Sequence, residues 1–290
     1  MLVSVAIAGA LTGLLLTGAV LGLAAAFRLM RFPDITVEGS FLMGATVWAA
    51  LSHAGFPLYV AVTGAVAAGA VCGVTTAVLS DVLRLDRFLA GNLVTAACYS
   101  IALLTLGASN VGLFETPSRV APGLDLANLS LPGALAFAGL IALLAVGFFR
   151  TQLGLRSRAA ASNPQMFVRT IGATVPYLAA GLAFTNAAAA LSGAAFARYQ
   201  GFVDVGMGQG VLITALAAFA VGETATARLR APRVVVVAAA AIIGSVLYQW
   251  AMAAALTFGL PAAMTKLASA GIVLLFLVAQ ARRSVPEGAT

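Results

Sequence analysis

The chain has 290 residues, 62% of them hydrophobic and only 9% charged, where a soluble domain carries about a quarter. That excludes an ordinary water-soluble globule. The formal net charge of +7 gives no argument for nucleic acid, because the basic residues stand at the ends of apolar runs. Runs long enough to cross a bilayer recur along the sequence, rich in Ala, Leu and Val and without the alternation of a membrane barrel. They predict an all-α polytopic protein set in a lipid bilayer.

Nine spans are predicted, at 3–27, 37–52, 56–80, 88–106, 131–149, 173–196, 207–222, 234–256 and 262–281, forming a single transmembrane domain over 1–290. The first run has no basic residue ahead of it and Arg28 and Arg31 behind it. It reads as a span with its N-terminus outside rather than as a cleaved signal, whose charge comes first. With the C-terminus inside, thirteen of the sixteen basic residues then fall on the cytoplasmic side, leaving Arg119, Arg198 and Lys266 on or toward the outer one.

After the first span comes RLMRFPDITVEGSF (28–41), a polar break ahead of a short, glycine-bearing span. A second break of this kind precedes the span 207–222. Shifted by 170 residues, AAAFRLMRFPDITVEGSFLMGA (24–45) falls on AAFARYQGFVDVGMGQGVLITA (194–215), with Arg28/Arg198, Phe32/Phe202 and Asp34/Asp204 identical. The copies lie five spans apart, so they run in opposite directions through the membrane. This predicts two inverted repeats, 1–149 and 173–283, separated by the loop 150–172. Short, interrupted spans at matching places in two halves point to a transport pathway. Phe32, Asp34, Glu38, Phe202, Asp204 and Met207 are the candidates for lining it. Helix capping and packing are the competing roles for each of them.

The remaining segments are read in turn. Cys72 and Cys98 lie inside apolar runs and read as small core residues. The long outer loop 107–132 offers Glu115, Arg119 and Asp125, with Arg198 nearby, for pairing with an extracytoplasmic partner. The longest cytoplasmic loop, RTQLGLRSRAAASNPQMFVRTIG (150–172), contains Asn163 followed by Pro164, a helix-start signature. A short helix over about 164–171 would present Met166, Phe167 and Arg169, either to a protein groove or to lipid headgroups. The sequence holds no phosphate-binding G-x-x-x-x-G-K-[ST] run and no chain of carboxylates inside the spans, so energy for uphill transport would come from a partner. A secondary transporter or channel with inverted repeats, powered by an ion gradient, is the alternative.

TQLGLRSRAAASNPQM resembles the T-x-x-G-L-x-x-R-A-x-G-x-N-P signature of ATP-binding-cassette (ABC) importer permeases of the branched-chain amino acid and ribose type. Thr151, Gly154, Leu155, Arg158, Ala159, Asn163 and Pro164 match; Ala161 and Ser162 replace the usual Gly and Asp. RFPDITVEGSFLMGA (31–45) and ALSGAAFARYQGFVDVGMGQG (190–210) are similar to the subgroup of uncharacterised and aromatic-amino-acid (tryptophan or tyrosine) import permeases. The resemblance covers about 20–283. It implies a non-catalytic membrane subunit in a bacterial inner membrane, with a cobalamin-importer-like fold and a pathway formed by two permease subunits, as a homodimer. It also implies two cytoplasmic ATPases, which carry the ATP and Mg, and a solute-binding protein that delivers the solute. Asn163, Pro164, Gln165, Met166, Phe167 and Arg169 would be the ATPase-coupling residues.

Overall fold

The computed structural model describes residues 2–113 and 130–257, and beyond them residues 259, 261, 264, 265, 267–271 and 274. It is helical nearly throughout. The order is α1 (Leu2–Ala24, prolonged by a π-helical turn Ala25–Met30), α2 (Thr36–His53), α3 (Leu58–Asp81), α4 (Arg87–Leu106), β1 (Asn110–Gly112), α5 (Leu131–Arg150), α6 (Gln152–Ser162), α7 (Pro164–Thr170), α8 (Val175–Gln200), β2 (Phe202–Asp204), a 3₁₀ turn (Val205–Gly208), α9 (Val211–Ala225) and α10 (Arg233–Thr257).

Local signals set these boundaries. The Asp86 carboxylate accepts from the amides of Phe88 (3.0 Å) and Leu89 (3.3 Å) and starts α4, which stops at Gly107 with φ of 69°. Proline stands in the first turn of α5, α7 and α8, where its missing N–H costs nothing. Among the described residues, seven helices are long and apolar enough to cross a membrane. The predicted span 37–52 is present as α2, but Glu38 and His53 near its ends make it less apolar, and it is not one of the seven. The predicted span 262–281 falls mostly outside the described residues, as do Glu115, Arg119 and Asp125.

α1, α2 and α8 form the interior, and the other long helices surround them: α3 on α8 and α2, α4 on α2, α5 on α1, α9 on α10, and α10 on α1. Small residues permit the close crossings. A β-carbon added to Gly44 would overlap the Ala190 carbonyl, and one added to Gly193 would overlap that of Phe41, so α2 and α8 touch backbone to backbone. Gly222 and Gly244 do the same for α9 and α10.

α8 has 26 residues, about 39 Å, and runs from α7 to β2, so these lie at opposite ends of the bundle. At the β2 end, β1 and β2 form a short antiparallel ribbon in register Asn110↔Asp204, Val111↔Val203 and Gly112↔Phe202. The ribbon is absent from the sequence reading, since three-residue strands carry no periodic signal. At the α7 end, the loop expected to hold one short helix holds two, α6 and α7. The Thr151 side chain caps α6 by accepting from the Gly154 amide at 3.2 Å.

Candidate functional site

Two helices of this bundle, α2 and α9, start just after a break in the chain, and α2 starts among buried residues. α1 ends in a π turn, the chain reverses at Arg31 in the left-handed region (φ 56°), residues 32–35 run back inward, and α2 starts at Thr36. α8 ends at Gly201, also left-handed (φ 78°); β2 and the 3₁₀ turn follow, and α9 starts at Val211. Arg31 and Gly201 are 170 residues apart, the offset at which the two sequence copies align. The match extends to hydrogen bonds. Asp34 Oδ1 accepts from the Thr36 amide at 2.9 Å, and Asp204 Oδ1 accepts from the Gly206 amide at 2.7 Å, the same i to i+2 turn at the same offset.

The first break turns alternate residues inward, leaving Arg31 and Pro33 exposed. Phe32 and Asp34 have no exposed surface. Asn186, near the middle of α8 and about 16 Å from its start, donates from Nδ2 to Asp34 Oδ2 at 2.7 Å and to the Leu182 carbonyl at 2.9 Å. Its Oδ1 accepts from Ser40 Oγ at 2.7 Å. Thr36 and Thr76 hydroxyls pair at 2.7 Å, and Thr95 Oγ1 donates to the Ile35 carbonyl at 3.4 Å. A carboxylate this deep is tolerable because donors from two helices meet it. Cys72 and Cys98 lie beside this cluster, buried, with sulfurs 3.5 Å apart.

The second break is more open: Phe202, Asp204 and Met207 are partly exposed. Glu38 joins the two. From the first turn of α2 its Oε1 accepts from the amides of Gly210 (2.9 Å) and Leu212 (3.1 Å), so a carboxylate of the first break caps the helix of the second. Beside that junction is a cavity of about 290 Å³. Phe196, Met207, Tyr248 and Met252 give it an apolar wall, and Gln209 and Thr214 supply polar groups. Of the six pathway candidates only Met207 lines this cavity. Phe32 and Asp34 are packed and hydrogen-bonded, Glu38 and Asp204 act as caps, and Phe202 lies in the ribbon. Arg198 stacks over the Trp48 ring at 5.8 Å.

At the other end, Asn163 Oδ1 accepts from the Met166 amide at 3.1 Å and starts α7, with Pro164 next to it. Gln165, Met166 and Arg169 are exposed. Phe167, expected on the surface with them, is only 3% exposed: it points inward and meets the Tyr177 ring edge-on at 5.3 Å. The exposed apolar face of α7 is instead Met166 and Val168, with Ile171 just beyond. A seven-residue helix presents one or two turns, and its inward face is fixed by α8, which no local pattern reveals. The arginines at this end hold interior elements together. Arg28 pairs with Glu223, joining the ends of α1 and α9, and Arg156 donates to the Tyr177 hydroxyl at 3.1 Å.

A bundle of membrane-length helices, interrupted by two carboxylate-capped breaks that enter from opposite ends, is the framework of a membrane transport subunit. The family described as "Branched-chain amino acid transport system / permease component" matches residues 5–279, and the chain belongs to it. The "Tyrosine transport system permease protein" of Clostridioides difficile (strain R20291) is 31% identical over 265 residues, covering 91% of this chain and 87% of that protein. "Uncharacterized protein RP368" of Rickettsia prowazekii (strain Madrid E) is 28% identical over 204 residues, covering 70% and 71%. No solved structure matches.

Proposed function

We propose that this chain is the membrane subunit of an ABC importer, working as a homodimer in the bacterial cytoplasmic membrane. Two ATPases, which hold ATP and Mg²⁺, drive it, and an extracytoplasmic binding protein supplies an amino acid with an aromatic side chain. The observation that carries this reading is the pair of matched breaks. The same left-handed reversal and the same Asp turn, each ahead of a new helix, occur twice, 170 residues apart and entering from opposite ends. Inverted halves around a central junction are how transporters build alternating access. Support for an aromatic solute comes from the Phe196, Met207, Tyr248 and Met252 wall of the cavity and from the tyrosine permease relative.

In this reading the end bearing α6 and α7 is cytoplasmic, in keeping with the arginines gathered there, and the N-terminus is outside. The exposed face of α7, with Asn163, Pro164, Gln165, Met166 and Arg169, docks the ATPase, while Phe167 fixes α7 to α8 from within. The test is reconstitution of the permease with its ATPase and binding protein, following ATP-dependent uptake of labelled L-tyrosine. Met166→Asp, which changes an exposed side chain without touching the Phe167 anchor, is expected to abolish co-purification with the ATPase while the permease still inserts. Gradient-driven uptake by this chain without an ATPase would overturn the ABC reading in favour of a secondary transporter.

A further inference from the structure

The side chain of Arg87 bridges α6 and the first break. It is the first residue of α4, and because Asp86 caps that helix, the Arg87 guanidinium is free to reach elsewhere. Nη2 donates to the carbonyl of Ala161, in the last turn of α6, at 3.2 Å. Nη1 donates to the carbonyl of Arg31, the left-handed reversal, at 3.3 Å. The guanidinium carbon lies 5.0 Å from the centre of the Phe32 ring. Three groups far apart in sequence are thus gathered on one planar cation. The Ala161 carbonyl sits at the negative end of a helix, which a cation favours. The forked geometry reaches two carbonyls at once and stacks on a ring, which a lysine ammonium cannot reproduce.

The surroundings give this bridge leverage. α6 rests with Gly154, Ser157, Ala160 and Ala161 inward, and Gly181 of α8 is approached by both its Ser157 and Met30 of the π turn. Two residues past the Phe32 ring, Asp34 holds Asn186 and through it Ser40. Any displacement of α6 and α7 therefore pulls on the reversal that positions α2.

We infer that Arg87 is a positioning residue that transmits movement of α6 and α7 to the helix break at Arg31–Ile35, coupling ATP hydrolysis to opening of the pathway. This rests on the importer reading. In the reconstituted complex, with L-tyrosine as the probe, Arg87→Ala is expected to bind the ATPase and hydrolyse ATP as wild type does. The uptake per ATP should fall roughly tenfold, the scale of losing a charge-assisted hydrogen bond. Arg87→Lys should fall between. Arg84→Ala, in the same α3–α4 connection but exposed, should keep the wild-type ratio. An unchanged uptake-to-hydrolysis ratio in Arg87→Ala overturns the inference, whereas a wild-type chain that binds no ATPase overturns the importer reading instead. Amide exchange of the permease alone provides a second arm. Arg87→Ala should speed exchange both at 28–36 and at 158–163, and a change confined to one of these segments shows that Arg87 does not tie them together.

Discussion

The Asp34–Asn186 pair makes the sharpest quantitative claim. Asn186→Ala removes the 2.7 Å donor to the buried Asp34 carboxylate and the acceptor of the Ser40 hydroxyl, while Thr36 still donates to the other carboxylate oxygen. A hydrogen bond to a charged group contributes about 1.5–3 kcal/mol, and a neutral interhelical one in a membrane averages only about 0.6 kcal/mol. The expected loss for Asn186→Ala is therefore about 2–4 kcal/mol, against about 0.6 kcal/mol for Ser40→Ala. Asn186→Asp should be worse than alanine, because two carboxyl groups then face each other in the interior. Adding Asp34→Asn restores one donor opposite one acceptor, and the double variant should recover about 1–3 kcal/mol of that loss as coupling energy. Reversible unfolding of the purified protein in mixed micelles by added SDS, run as a double-mutant cycle, measures each term. If Asn186→Ala costs no more than Ser40→Ala, or if the swapped pair is no better than Asn186→Asp alone, the carboxylate is not held by Asn186 and the account of the break is wrong.

Three further outcomes follow from the same geometry. Glu38→Ala should cost about 1 kcal/mol for a lost helix cap while Glu38→Gln, which keeps the acceptor, retains both stability and uptake; loss of tyrosine uptake in Glu38→Gln at unchanged SDS stability would make Glu38 a solute ligand instead of a cap. Gly44→Val drives α2 from α8 at the Ala190 carbonyl and should cost about 3 kcal/mol, whereas Gly139→Ala, with nothing near its added β-carbon, should be neutral or slightly stabilising in the same assay. Met166→Cys (62% exposed in the wild type) and Phe56→Cys (51%) should react with impermeant thiol reagents from opposite sides of oriented vesicles; same-side labelling refutes the assigned topology.

What could be read from the sequence was what long runs and strong caps encode. Eight predicted spans coincide with α1–α5 and α8–α10 to within a few residues, because twenty apolar residues in lipid have few alternatives to a helix. Asn163–Pro164 announced α7 through the same cap that is seen in space. The six candidates all fall at the two breaks, but the sequence could not apportion their roles. Whether Asp34 meets solute or an amide depends on Asn186, 152 residues away, and Glu38 meets Gly210 across 172. Phe167 was misread for a related reason: on a helix of seven residues the face that turns inward is decided by the neighbour, here Tyr177. Arg87 looked like one more charge at a span end, and no local pattern separates an arginine that faces water from one that bridges two backbone segments.

The carboxylates of the breaks form an interlock. In each copy the aspartate accepts from the backbone amide two residues on, Thr36 or Gly206, which fixes the reversal locally. Asn186 of α8 then reaches Asp34 of the first copy, and Glu38 of the first copy reaches the start of α9 in the second. Each copy thus supplies a group that completes the other's turn, so neither break can rearrange alone. The relation is also asymmetric: Phe32 and Asp34 of the first break are fully buried, whereas the second borders the cavity. Two similar breaks that enter from opposite ends, one with its aspartate buried and one beside a cavity, suit the proposed importer if its states differ by exchanging those environments. The α7 end reaches the first break through Arg87 and α8, so in the proposed importer force applied at that end acts first on the buried Asp34 turn.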